Sequence, residues 1–201
     1  MLRIGITGGI GSGKSYICEI FRKIGVPVYE SDIAARQITD KQADVKKAIE
    51  KILGAEAYQN GYLNRPYVAS MVFQNSALLQ EINSIIHPAV EKDFQHWCLQ
   101  QNQHQYVINE AAILFESGAY KMLDKTIVVS APIELRIERT MNRNGFSREE
   151  IERRMQFQWP AEKIETLADF IIVNDNKKLL LPQIIKIDKT IQALWQNLVN
   201  G

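Results

Sequence analysis

Gly8-Gly9-Ile10-Gly11-Ser12-Gly13-Lys14-Ser15 has the spacing of a P-loop: glycine, four residues, glycine, lysine and a hydroxyl residue. The chemistry requires these residue types. Glycines admit positive φ and let successive backbone N–H groups converge on phosphate oxygens. A helix opening near Lys14 points its N-terminal dipole at the anion. Lys14 neutralises charge on the β- and γ-phosphates of a nucleotide, and the Ser15 hydroxyl can ligate Mg²⁺. Gly8, Gly9, Gly11, Ser12, Gly13, Lys14 and Ser15 are therefore the candidate cofactor-binding residues.

The flanks supply the context that the motif needs. Leu2–Thr7 is short, apolar and followed by glycines, which reads as a buried strand. In 14–24 the apolar residues Ile17, Ile20, Phe21 and Ile24 recur at helical spacing, and Gly25 and Pro27 end the run. Residues 26–30 read as a second strand. Strand, helix, strand at this spacing is a βαβ unit, so the fold is α/β with a parallel sheet and right-handed crossovers. Further strands are expected at Tyr106–Glu110, 126–130 and 169–173, giving five in all, with a closing helix over 179–198. The long stretch before Tyr106 is helical in pattern. Ile82, Ile85, Ile86, Val90, Phe94 and Trp97 share one face of a long helix, with Pro88 as a candidate kink. Such an excursion between two sheet strands is most simply an inserted substrate-binding subdomain.

Composition narrows the class. The 201 residues suit one globular domain with room for a small insertion. Lys+Arg is 24 and Asp+Glu is 23, a formal charge of +1, which argues against a polybasic nucleic-acid or membrane binder while leaving room for a local basic pocket. Cys18 and Cys98 are too few for a disulfide framework and suit a reducing cytosol. No secretory apolar region is visible, and no apolar run reaches the length of a membrane span. A cytoplasmic location is expected, with the protein a monomer or small homo-oligomer.

A P-loop alone does not separate a kinase from a GTPase. The guanine-recognition pattern Asn/Thr-Lys-x-Asp is absent, and Asn174-Asp175-Asn176-Lys177 is only a superficial echo of it. A small-molecule kinase needs a base near the acceptor hydroxyl, a lid with arginines and an acceptor pocket. Asp32 follows the second strand, where ligands of open α/β sheets gather, and can accept the proton of an incoming hydroxyl. It reads equally as a helix N-cap. Arg36 is an i,i+4 partner of Asp32 or a phosphate contact. Glu110 ends the third strand, where P-loop enzymes place the acid that holds Mg²⁺, so Ser15 and Glu110 are the candidate metal residues. Glu116 is a second candidate acid or a solvated turn residue. Arg139 and Arg143 share a helix face and can clamp phosphate charge, or can be solvated. His87 before Pro88 reads as a hydrogen-bonded core residue, and Cys18 as packing. Three scattered histidines and two distant cysteines give no zinc spacing.

Taken together, these residues resemble the dephospho-CoA kinase family along nearly the whole chain. Ile6-Thr7 with the P-loop, Asp32-Ile33-Ala34-Ala35-Arg36, Ile82-Asn83-Ser84-Ile85-Ile86-His87-Pro88 and Leu114-Phe115-Glu116 are similar to its motifs. So are Arg139 and Arg143 with Arg154 and Gln158, and Ala168-Asp169 with Asn174. The resemblance implies a P-loop NTPase core (about 1–32, 104–138 and 164–201), a helical CoA-binding insertion (about 33–103) and a helical lid (about 139–163). It implies phosphorylation of the ribose 3′-hydroxyl of dephospho-CoA by ATP with Mg²⁺. Asp32 would be the base, acting with Lys14, Arg139 and Arg143. Thr7, Arg36, Arg65, His87 and Glu110 would meet the acceptor. The family has Asp where this chain has Glu30 and Glu110, Thr at Tyr16 (a base-side position), Pro at Ala112 and Gln at Arg136. The competing readings are a nucleoside-monophosphate kinase and a nucleotide-binding protein without catalysis.

Overall fold

In chain order, the computed structural model runs β1 (Leu2–Thr7), α1 (Lys14–Lys23), β2 (Val28–Glu30), α2 (Ser31–Lys41) and α3 (Ala43–Leu53). A short 3-10 turn leads to β3 (Tyr58–Gln59) and β4 (Tyr62–Leu63), then α4 (Arg65–Phe73) and α5 (Ser76–Leu99). The remainder is β5 (Tyr106–Glu110), β6 (Lys125–Ser130), α6 (Ile133–Asn144), α7 (Arg148–Met155), α8 (Ala161–Leu167), β7 (Phe170–Val173) and α9 (Leu180–Asn200). The structure describes residues 1–73 and 75–200. They form two units, Met1–Glu30 with Cys98–Gly201 and Ser31–Trp97.

The first unit holds a five-stranded parallel sheet in the order β2-β5-β1-β6-β7. Parallel sheets are covered on both faces, and the strands are accordingly apolar throughout. Ile4, Ile6, Ile108, Ile127 and Ile172 are buried, packed with Ile17 and Phe21 of α1 and with Ile184, Ile187 and Ile191 of α9. A second cluster is built on Phe115, Val128 and Ile164. The central position of β1 places the P-loop between the carboxyl ends of β5 and β6. Ile6 pairs with Glu110 and Thr7 with Val128.

Two strands start later than their apolar runs suggest, for a stated reason in each case. The 26–30 run yields only Val28–Glu30 because Val26 is used to close α1. Its N–H donates to Phe21 O at 3.0 Å while Gly25 N–H donates to Arg22 O at 3.0 Å, a Schellman termination with Gly25 at φ 91°. Asp169 stays outside β7 because its carboxylate accepts from the Thr126 amide at 2.8 Å and the Thr126 hydroxyl at 3.0 Å.

The second unit has a core of Ile38, Val45, Ile49, Leu53 and Ile82. The four-residue spacing of Val45, Ile49 and Leu53 puts them on one face of α3. It also holds a hairpin, β3 with β4, turning on Asn60 (φ 53°) and Gly61 (φ 84°). Two left-handed residues in succession make the turn whose twist matches paired strands. The assignment of α5 as helix runs unbroken through Pro88. Among the described residues no helix is long and apolar enough to cross a membrane.

Candidate active site

The P-loop is shaped by two glycines in the left-handed region, Gly11 at φ 79° and Gly13 at φ 89°. A side chain at Gly11 would collide with the Arg136 carbonyl, and one at Gly13 with the Asn174 amide, so conformation and space both demand glycine there. Ser12 N–H donates to Gly9 O at 2.9 Å, which folds the loop on itself. Among the described residues, the amides of Gly11, Gly13, Lys14 and Ser15 have no protein acceptor. The first N–H groups of a helix lack intrahelical partners and point out of its N-terminus, so this set forms an anion cradle.

Behind the cradle, β5 delivers Glu110. Its Oε1 accepts from Lys14 Nζ at 2.6 Å and from Ser15 Oγ at 3.0 Å. The Lys14 and Glu110 side chains are only 13% and 8% exposed, so this ion pair is shielded from water. Cys18, one turn into α1, is buried beneath it. Burial, followed by the nearby Glu110 charge, pushes its thiol up to about 12.

The loop is also held from the far side of the sheet. Asn174, directly after β7, donates from Nδ2 to Ser12 O at 2.7 Å. Arg139 of α6 donates to Asn174 O and to Asn174 Oδ1, each at 3.2 Å, and to Asn176 Oδ1 at 2.5 Å. Arg136, one turn earlier, donates from Nε to Ile10 O at 2.9 Å. Burial lowers the affinity of the Arg136 guanidinium for its proton, and Glu165 opposes that. Gln158, beyond α7, accepts from Ile10 N–H at 2.9 Å and donates to Ala112 O at 2.9 Å.

One cleft of about 1020 Å³ gathers most of the residues expected to act on the nucleotide. Gly8 to Tyr16 form one wall, Arg139 and Arg143 another, and Lys177 to Pro182 the far end. Tyr16 is well exposed there. Thr7 is buried at the end of β1 and lines a smaller cavity behind the loop, with Glu116 and Gln158. Glu116 is a half-buried residue of the turn after β5, and its Oε1 accepts the Trp159 N–H at 2.7 Å. Arg154 lies over the Phe146 ring at 4.1 Å, and Gly145 caps α6 at φ 68°.

Asp32, Arg36, Arg65 and His87 belong to the other unit. Asp32 is the second residue of α2 and sits inside its first turn, where a carboxylate also suits the helix dipole. Arg65 donates to Asp40 Oδ2 at 3.0 Å. Partial burial would raise the Asp40 carboxyl, but the Leu63 amide and Arg65 hold it below the usual range. His87 is half-buried on α5, and burial lowers its pKa. Among the described residues no group of three His, Cys, Asp or Glu forms a metal cluster.

Arg136, Asn176 and the segment from Lys177 to Pro182 were not expected at the site. Each lies more than a hundred residues from the loop it meets, and no local pattern marks it.

A family model described as CoaE, dephospho-CoA kinase, matches residues 2–179. A dephospho-CoA kinase from Porphyromonas gingivalis is 40% identical over 198 residues, covering 98% of each chain. A crystal structure of a Thermus thermophilus protein superposes with a TM-score of 0.82 at 30% identity, covering 96% of each chain. A dephospho-CoA kinase from Campylobacter jejuni superposes with a TM-score of 0.69 at 26% identity, covering 95% of this chain and 97% of its own.

Proposed function

The chain belongs to the dephospho-CoA kinase family, and from that premise we propose how its own residues carry the reaction. The activity is transfer of a phosphoryl group from ATP to dephospho-CoA, giving CoA and ADP. The observation that carries the residue-level reading is the convergence of Lys14 and Ser15 on one Glu110 oxygen beside the unpaired loop amides.

The loop amides bind the polyphosphate. Lys14 exchanges its buried partner Glu110 for the more highly charged phosphates, which releases a carboxylate oxygen next to the Ser15 hydroxyl. One hydroxyl and one carboxylate suit Mg²⁺, which takes hard oxygen ligands and keeps several waters. Ser15 and Glu110 would hold that ion, and when bound it neutralises charge developing on the phosphate oxygens. Arg143 faces the same cleft and adds positive charge for the transferring group. Arg139 orders the Ser12 and Asn174 carbonyls around the nucleotide. Tyr16 and the segment from Lys177 to Pro182 form the base-side end.

Asp32 is the proposed base, accepting the proton of the ribose 3′-hydroxyl as that oxygen attacks the γ-phosphorus and the bond to the β-bridging oxygen breaks. Arg36, Arg65 and His87 are proposed for the acceptor. Phosphoryl transfer depends on positioning and charge stabilisation more than on covalent chemistry, so a carboxylate and a set cradle suffice.

The test is mass detection of product from ATP and dephospho-CoA, with AMP and CMP as rival acceptors. A product one phosphoryl group heavier than dephospho-CoA is expected, and phosphorylation of AMP or CMP instead would refute the acceptor. Asp32→Asn is expected to lower kcat by about 10²- to 10⁴-fold with ATP affinity retained. Near-normal turnover in that variant would remove Asp32 from the chemistry.

A further inference from the structure

The main chain of Ile10, at the crown of the P-loop, is held at both its N–H and its carbonyl by residues from distant segments. Its carbonyl accepts from Arg136 Nε at 2.9 Å, and its N–H donates to Gln158 Oε1 at 2.9 Å. Neither contact occupies the free amides of Gly11, Gly13, Lys14 and Ser15, and the Ile10 carbonyl shares one planar peptide with the Gly11 N–H, so holding the one orients the other. Arg136 is half-buried, and its guanidinium lies beside Gly9. A Cβ at Gly9 would overlap the Arg136 Nη2 and Cζ atoms and approach Nη1 to 2.8 Å. Gly9 has no positive φ, so what a side chain there would have to displace is the Arg136 guanidinium and not its own backbone conformation.

We propose that Arg136 is a positioning residue for nucleotide binding: its Nε, through the Ile10 carbonyl and opposite Gln158, sets the P-loop in its phosphate-accepting shape before ATP arrives. A loop already in that shape costs the nucleotide no ordering free energy, so the clasp acts on affinity. The proposal rests on the P-loop reading of the site and is independent of which acceptor is used. It also separates the donor from the charge. Counting bonds from Cα, Gln Nε2 occupies the same place as Arg Nε, whereas Met places a methyl carbon there.

The experiment is calorimetric titration of a non-hydrolysable ATP analogue into the full chain and its Arg136→Gln and Arg136→Met variants. It is paired with kcat and KM for ATP. Arg136→Gln is expected to bind within about threefold of the parent, and Arg136→Met about tenfold more weakly with kcat little changed. Equal losses in the two variants would overturn the proposal in favour of the charge. So would unchanged affinity in Arg136→Met, or a fall in kcat at constant KM. Should Arg136→Met not fold, Gly9→Ala tests the same contact. It is expected to weaken binding about tenfold alone, by displacing the guanidinium, and less than threefold in the Arg136→Gln background. The same penalty in both backgrounds would assign the effect to Gly9 itself. Failure of the unaltered chain to bind the analogue would instead refute the P-loop reading.

Discussion

Glu110→Gln removes the charge that faces Lys14 while keeping the shape and one acceptor oxygen. At 13% and 8% exposure this is a shielded pair, for which loss of one partner costs about 3–5 kcal/mol. The amide oxygen of Gln still accepts from Lys14 and Ser15, which brings the expected loss to about 2–3 kcal/mol. For a chain of this length each kcal/mol moves the melting temperature by about 2–4 °C, so a fall of about 4–12 °C is expected. Nucleotide should narrow that gap, because phosphates then supply the counter-charge that Gln lacks. A ligand at a hundred times its Kd stabilises by about 2.7 kcal/mol, and at one shared ligand concentration the variant should gain more than the parent, because its Lys14 has no ion pair to give up and its Kd is lower. The assay is thermal unfolding by circular dichroism, with and without a non-hydrolysable ATP analogue. A fall of less than about 1 °C, or a gap that the nucleotide leaves unchanged, would refute the exchange of partners by Lys14.

Lys14→Ala is expected to abolish phosphoryl transfer, and full steady-state activity would refute its role. Asn174→Ala leaves the Ser12 carbonyl without its 2.7 Å donor and takes one acceptor from Arg139, so a loss of about 1–3 kcal/mol and a higher KM for ATP are expected. An unchanged urea midpoint would contradict that. Burial lowers the His87 pKa, so below about 6.5 the unfolded chain binds a proton that the folded chain resists. Its contribution to stability is present above the unfolded value and is lost as pH falls through the folded one. Urea unfolding at pH 7.5 and pH 5.5 should show His87→Gln losing less stability on acidification than the parent, by up to about 1 kcal/mol. Equal losses would place the imidazole in solvent.

The sheet was legible because each strand is a short apolar run closed by a glycine, an acid, a serine or an asparagine. The place of Glu110 near the cradle was legible, since it ends a strand and strand ends gather around the ligand, but its pairing with Lys14 was not. Exact strand starts were not, because Val26 and Asp169 spend their polar groups on a helix cap and on Thr126. The hairpin in the second unit escaped notice although Asn60-Gly61 marks it; strands of two residues carry too little alternation to show. Gln158 came only through the family resemblance. Arg136 was read merely as a replacement for Gln, since a contact between positions 10 and 136 is created by folding alone.

The buried cysteines bear on the enzyme's dealings with its own substrate. Dephospho-CoA and CoA end in a free sulfhydryl, ready for thiol–disulfide exchange. Cys18 and Cys98 are both enclosed, with ionisation suppressed by burial. With burial pushing the Cys18 thiol up to about 12, it stays protonated at neutral pH. Mixed disulfides with the pantetheine arm are thus disfavoured by access and by reactivity together, and the catalyst turns over a thiol without being capped by it.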